Sequence, residues 1–167
     1  MAQAFGFLAV ATFLLSFQLK TRQKIILANA MSRLLYVLQY IFLGAFEGAV
    51  LDLIGLLSSV VAKYKETKFI ARHAVWIVIV INAVLLAVGL LLYQNIFSLF
   101  AMLGIMFEIT ALWLTKEKNI RFLSFFSAPF WFVYNFANMA YGSAVGNLLT
   151  MVSIGIAMYR LDFKYHK

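Results

Sequence analysis

The chain contains no cysteine, so disulfides and thiolate metal sites are excluded from the start. It has a single proline, Pro129, and only two histidines, His73 and His166, which lie too far apart to read as paired metal ligands. Acidic residues number six in 167, and charged residues of both signs together make up 12%. A soluble domain carries about 25% charged residues, so a soluble fold is excluded as well. No glycine-rich phosphate loop, no Ser/His/Asp set and no metal cluster can be picked out. Catalysis is therefore not expected, and no cofactor or metal is called for.

Apolar residues fill the space left by these absences. They make up 65% of the chain, with seventeen phenylalanines and eight tyrosines among them, and the mean hydropathy is +0.94. This is the composition of an integral membrane protein whose first partner is the lipid bilayer. The net charge of +8 reads as loops facing anionic lipid, with no nucleic acid implied. A helix crossing the hydrocarbon core needs roughly 20 mostly apolar residues. Runs of this kind lie near 4–19, 25–44, 48–62, 74–93, 97–114, 120–138 and 142–160. Strands would need the alternation of a closed barrel, which is missing. The expected fold is all-α and polytopic, with seven transmembrane helices in one membrane domain over 1–167.

The basic residues test that count. Lys20, Arg22 and Lys24 fall between the first two runs, and Lys63, Lys65, Lys68 and Arg72 between the third and fourth. Lys116, Lys118 and Arg121 follow the fifth, while Arg160, Lys164 and Lys167 close the chain. The connections near 45–47, 94–96 and 139–141 hold none. Arg33 alone departs from this alternation. The pattern implies an N-terminus outside and a C-terminus in the cytoplasm of a plasma or inner membrane, with a cytoplasmic tail at 161–167. The charge of "KTRQK" follows the first apolar run, where a signal peptide would carry it in front, so the first segment is expected to stay as a helix. The basic stretch 63–73 reads as a solvated loop.

Sliding the chain on itself by 95 residues aligns 5–65 with 100–160 without a gap. Ser32 falls on Ser127, Ala45 on Ala140, Ala49 on Ala144 and Tyr64 on Tyr159, with the basic connection and the outer turn also in register. The expected plan is a first three-helix unit (4–65), a linker helix (74–93) and a second three-helix unit (97–160). An odd linker makes the two units parallel, related by an axis along the membrane normal.

The stretches "SFQLKTRQKIIL" (16–27), "LGAFEGAVLDLIG" (43–55), "APFWFVYNFANMAYGSAVGNLL" (128–149) and "YRLD" (159–162) resemble the YgjV family of bacterial inner membrane proteins, and the 3+1+3 plan resembles the related SWEET transporters. The resemblance implies two units around a central solute site, with paired asparagines on the third helix of each. Here the offset pairs Asp52 with Asn147, so one asparagine is replaced by an acid. That departure argues against a neutral sugar and towards a cationic or proton-linked solute. The helix-breaking prolines of SWEET-like chains are also reduced to Pro129, opposite Leu34 in the first unit.

Ionisable groups inside spans cost at least about 2.5–3.5 kcal/mol, and three stand out: Arg33, Asp52 and Glu108. Arg33 and Glu108 each lie roughly 10–12 Å from the same side by the helical rise, so they are placed to pair. The pair is either a static tie between units or a gate. Asp52, counted from the other side, is expected to lack a basic partner and to meet solute or a proton. Ser127, Trp131, Asn135 and Asn138 share a face of the sixth run, with Tyr134 beside them. Ser32, Tyr36 and Tyr40 share the matching face of the second, with Gln39 beside them. The solute contacts expected are Asp52, Asn147, Trp131, Asn135, Tyr36 and Tyr134, with Arg33 and Glu108 as gate or ion pair.

Two functions fit. One is passage of a small polar solute of unknown identity by alternating access between the units. The other is a non-transporting scaffold or assembly partner with a dry, packed centre; a homo-oligomer stays open under either. Reporter fusions check the architecture: one placed within 63–73 is expected to read cytoplasmic and one within 45–47 periplasmic, and the reverse at 63–73 would end the seven-span scheme.

Overall fold

Long apolar runs leave the backbone only one way to satisfy its polar groups in lipid, and the described residues take it, with Pro129 the one proline inside a helix. A computed structural model describes residues 1–16 and 22–160. Among them are seven helices: α1 (Ala2–Ser16), α2 (Arg22–Leu43), α3 (Phe46–Lys63), α4 (Lys68–Leu91), α5 (Ile96–Trp113), α6 (Glu117–Ala137) and α7 (Tyr141–Met158). No strand occurs among the described residues. Three of the helices, α4, α5 and α7, are each long and apolar enough to cross a membrane. The expected cytoplasmic tail at 161–167 and the connection holding Lys20 lie outside the described residues.

The main departure from the sequence reading is at 63–73. The apolar run begins near 74, but α4 starts at Lys68, so only 64–67 form the connection. A helix does not stop where hydrocarbon would, and the turn through Arg72 is solvated helix. The expected solvated loop is thus half helix. Its remainder is braced to the neighbouring connection, for Lys65 donates through Nζ to the carbonyls of Trp113 and Leu114. Two basic connections therefore share one end of the molecule. At the other end Gln3 donates to the Met139 carbonyl at 2.6 Å and accepts from the Gly142 amide, while Glu47 at the start of α3 meets Ser98 at the start of α5. The connections alternate between two ends, as the charges require.

Six helices close into a ring in the order α1, α2, α3, α5, α6, α7, with α7 returning to α1. Helices that correspond under the 95-residue offset (α1 with α5, α2 with α6, α3 with α7) thus stand opposite one another. The turns after α2 and α6 also correspond. Gly44 (φ 72°) and Met139 (φ 57°) are 95 apart, and each is followed by an amide that reaches back to the carbonyl five residues earlier, Ala45 to Tyr40 at 2.9 Å and Ala140 to Asn135 at 2.8 Å. Both are left-handed caps that end the helix abruptly. Glycine meets that backbone without cost, whereas Met139 adopts it against its side chain's preference.

α4 stands outside the ring, against α3 and α5. It has a mean hydropathy of 2.8 over its best window, above those of α5 and α7, and only Leu85 and Gly89 are buried on it. It is tied in by Asn82, which donates to Thr110 Oγ1 on α5 at 3.2 Å, so it is more than the featureless linker its sequence suggests. Close approach inside the ring depends on glycine at Gly146, where an added Cβ would lie 2.1 Å from Val10 Cγ2. Valine is stiff at χ1 and has no room to yield. Gly146→Ala is expected to lower stability by about 1–3 kcal/mol, measured by thermal unfolding in detergent. Gly155→Ala, with nothing within 4 Å of its added Cβ, is expected to leave stability unchanged or raise it slightly; equal losses at both sites would contradict this packing.

Candidate functional site

The ring encloses a cavity of about 150 Å³, and each of its six helices contributes to the wall. α4 contributes nothing. The lining reaches from Phe13, Leu112 and Ile120, near the basic end, to Tyr40 and Asn135, near the opposite end. Along α6 that is about 22 Å at the helical rise.

The wall is built largely from residues 95 apart facing each other: Phe13 with Glu108, Asn29 with Ser124, Ser32 with Ser127, Tyr36 with Trp131, Tyr40 with Asn135, and Asp52 with Asn147. Most polar residues of α2, α6 and α7 in the wall lie on this stripe, while α1 contributes only Phe13. The sequence faces read from α2 and α6 are the cavity faces, except at their outer limit. Asn138 caps α6, donating to the Tyr134 carbonyl at 3.0 Å, and is not part of the wall.

Arg33 sits at the centre of the charged wall with its side chain 3% exposed. Its Nη1 donates to Asp52 Oδ1 at 2.7 Å, its Nη2 meets Glu108 Oε1 at 2.8 Å, and its Nε donates to Asn29 Oδ1 at 3.2 Å. The pairing of Arg33 with Glu108 expected from depth is present. The expectation that Asp52 lacks a basic partner is overturned. Arg33 lies ten residues before the end of α2 at Leu43 and Asp52 six after the start of α3 at Phe46, an axial offset of about 6 Å. An arginine side chain spans that distance. Gly55 permits the crossing, because a Cβ there would lie 2.5 Å from Arg33 Nη1.

The expected solute contacts divide into two groups. Asp52, Asn147, Trp131, Asn135 and Tyr36 line the cavity. Trp131 donates through Nε1 to Glu108 Oε2 at 3.1 Å, and Tyr40 stacks against both Tyr36 and Trp131 (centroids 6.5 and 6.2 Å apart). Tyr134 stands behind the wall: it is fully buried, meets Tyr40 edge-on, and accepts from the Gly48 amide at 3.0 Å.

Beyond Tyr40 the lining stops at a hydrogen-bonded layer. Tyr40 donates through its hydroxyl to Asn135 Oδ1 at 2.7 Å, and Asn135 Nδ2 donates to Asn147 Oδ1 at 2.8 Å. Behind them Ser143 donates to Gln39 Oε1, and Tyr134 meets Gly48. These two contacts correspond under the offset, since 39 maps to 134 and 48 to 143. Gln39 Nε2 has no partner although it is buried.

Sequence reasoning missed Glu47. It was placed in an outer connection, but it is 3% exposed and accepts from Ser98 Oγ at 2.6 Å. Ser98 in turn accepts from the Asn95 amide in the capping box that starts α5. An acid in the first turn of α3, level with an Asn-x-x-Ser cap on α5, was the available signal.

Losing Arg33 would leave two carboxylates in the wall without their cation. Arg33→Ala is expected to cost about 3–5 kcal/mol of stability, read by denaturant titration in micelles, with most of the loss recovered when Asp52→Asn and Glu108→Gln are added. A neutral Arg33→Ala would mean that these charges are not held dry.

The family model Imp-YgjV, bacterial inner membrane protein, matches residues 1–164. No curated protein matches the chain, and no solved structure does.

Proposed function

As a member of the Imp-YgjV family of bacterial inner membrane proteins, the chain works within a bilayer, and we propose that it passes a small polar solute across it by alternating access. The observation that carries this reading is the position of the cavity. It lies between corresponding positions of two repeated halves, has a charged wall, and stops at one end in a layer of hydrogen bonds.

In this reading 4–65 and 97–160 are two parallel units of a 3+1+3 protein, related to the SWEET group, and α4 is the joining helix. The basic end faces the cytoplasm. The present state is then open inward, and the layer of Tyr40, Asn135 and Asn147, backed by Gln39 with Ser143 and Tyr134 with Gly48, is the closed outer gate. Each bond of that layer joins one unit to the other or seals such a joint, so parting the units breaks the layer without unfolding a helix. The orphan amide of Gln39 supports the same reading. A buried donor left unpaired costs about 1–3 kcal/mol, and hydration on opening removes that cost. Arg33 ties α2 to α3 within one unit through Asp52 and to α5 of the other through Glu108. It is the hinge-side contact that persists while the gate changes.

One observation favours the scaffold reading. Several wall groups are already satisfied within the protein: Ser32 bonds the Asn29 carbonyl and Ser127 that of Gly104. A dry assembly partner needs no more than this.

The absence of native cysteine allows a clean test. Ser124→Cys places a single thiol in the wall near the basic end. It is expected to react with a membrane-impermeant maleimide from the cytoplasmic face only, and from the outer face as well once Tyr40→Phe and Asn135→Ala weaken the gate. A thiol reached from neither face would establish the dry scaffold.

A further inference from the structure

The charged wall and its unused hydrogen-bonding groups narrow the chemistry of what the cavity takes. All three guanidinium nitrogens of Arg33 are engaged, with Asn29, Asp52 and Glu108. Arg33 is the only basic residue in the lining among the described residues. The one cation of the wall is thus already paired with two carboxylates, which disfavours an anion. With both carboxylates ionised, two of them against one guanidinium give the wall a formal charge of −1, which acts more strongly in a low-dielectric site than in water.

The free groups agree with this balance. Asp52 is 4% exposed and lines the cavity, and it gives Arg33 only Oδ1. Its Oδ2 has no hydrogen-bond partner among the described residues, and it is not shut away against protein atoms, so it faces the cavity. Asn147 gives only its oxygen to Asn135, which leaves its amide donors to the cavity. Tyr36 lines the wall with no hydrogen bond to its hydroxyl among the described residues, and its ring is in the stacked series with Tyr40 and Trp131. A carboxylate oxygen that opens on a cavity and meets no protein donor takes its donor from water or from a solute that displaces it.

We infer that the cavity binds a small organic monocation, a primary amine or guanidine, with its N–H groups on Asp52 Oδ2, its body against the Tyr36 ring, and an acceptor near the Asn147 amide. The volume suits a solute of about ten non-hydrogen atoms, by the space one buried water occupies. Aromatic faces beside a carboxylate favour such cations. The offset makes the asymmetry plain: Asp52 and Glu108 face Asn147 and Phe13, so all the charge lies on one wall and the opposite wall is neutral. An elongated solute with charge at one end only fits that division. The inference rests on the cavity being a solute site, but not on its two ends opening in turn.

The test uses the full chain in lipid nanodiscs and three phenols of similar size whose other ends differ in charge: tyramine, the alcohol tyrosol and 4-hydroxyphenylacetate. Calorimetric titration is expected to show tyramine binding at least about tenfold tighter than tyrosol, with no binding of the acid. Asp52→Asn and Glu108→Gln each make the wall neutral, and each is expected to bring amine and alcohol to within about threefold. Tyr36→Phe, which leaves the ion pairs intact, is expected to weaken tyramine binding while preserving its lead over tyrosol. The alcohol or acid binding as tightly as the amine would overturn the inference, and so would failure of all three to bind. Amine binding in a protein whose thiol at 124 is never reached from the outer face would keep the cation site and remove the transport reading. A two-sided cavity without charge preference would do the opposite.

Discussion

A guanidinium buried in the middle of a bilayer protein is tolerable only when it is paired and hydrogen-bonded, and each of the three nitrogens of Arg33 has a partner. α3 supplies Asp52, α5 supplies Glu108, and α2 itself supplies Asn29 one turn below. The three helices are thereby held in register, and Gly55 is needed where the arginine crosses α3. Trp131 then takes the remaining oxygen of Glu108 and draws α6 to the same centre. Four of the six ring helices meet through one side chain and its immediate partners. Lipid gives no hydrophobic drive for helix association, so directed contacts of this kind fix which helices become neighbours.

The second organising fact is that the ring is nearly symmetric while its chemistry is not. The turns at Gly44 and Met139, the contacts Gln39 to Ser143 and Tyr134 to Gly48, and the stacked Tyr36 and Trp131 all follow the 95-residue offset. The ionisable groups do not: Arg33, Asp52 and Glu108 correspond to Ala128, Asn147 and Phe13. The cavity lies between positions 95 apart, and the differences at three of those positions put its ionisable groups on one side.

Much of this was legible in the residues. Apolar run length gave seven helices because lipid enforces it, and the alternating Lys/Arg connections gave two ends. The offset had already paired Ser32 with Ser127 and Asp52 with Asn147, and counting helical rise brought Arg33 to Glu108. What failed was also physical. Depth counting locates Cα atoms and ignores the reach of a long side chain, which hid the contact of Arg33 with Asp52. A helix continues past the hydrocarbon, which hid the start of α4 at Lys68. Glu47 was passed over because its turn carries no apolar signal, although the cap at Asn95 and Ser98 was there to receive it. Tyr134 was assigned to the solute because it is adjacent in sequence to the cavity face; on a helix, adjacency turns a residue about 100° away.

The central claim is that two halves joined at Arg33 part and close at the layer beyond Tyr40. Pulsed electron resonance reads that motion directly. Spin labels on Phe42→Cys and Phe136→Cys, exposed positions near the outer ends of α2 and α6, report the span across the gate in a chain with no other thiol. Two distance populations are expected, with the longer one gaining when Asn135→Ala breaks the layer. A single distance, unmoved by that substitution, would contradict the account.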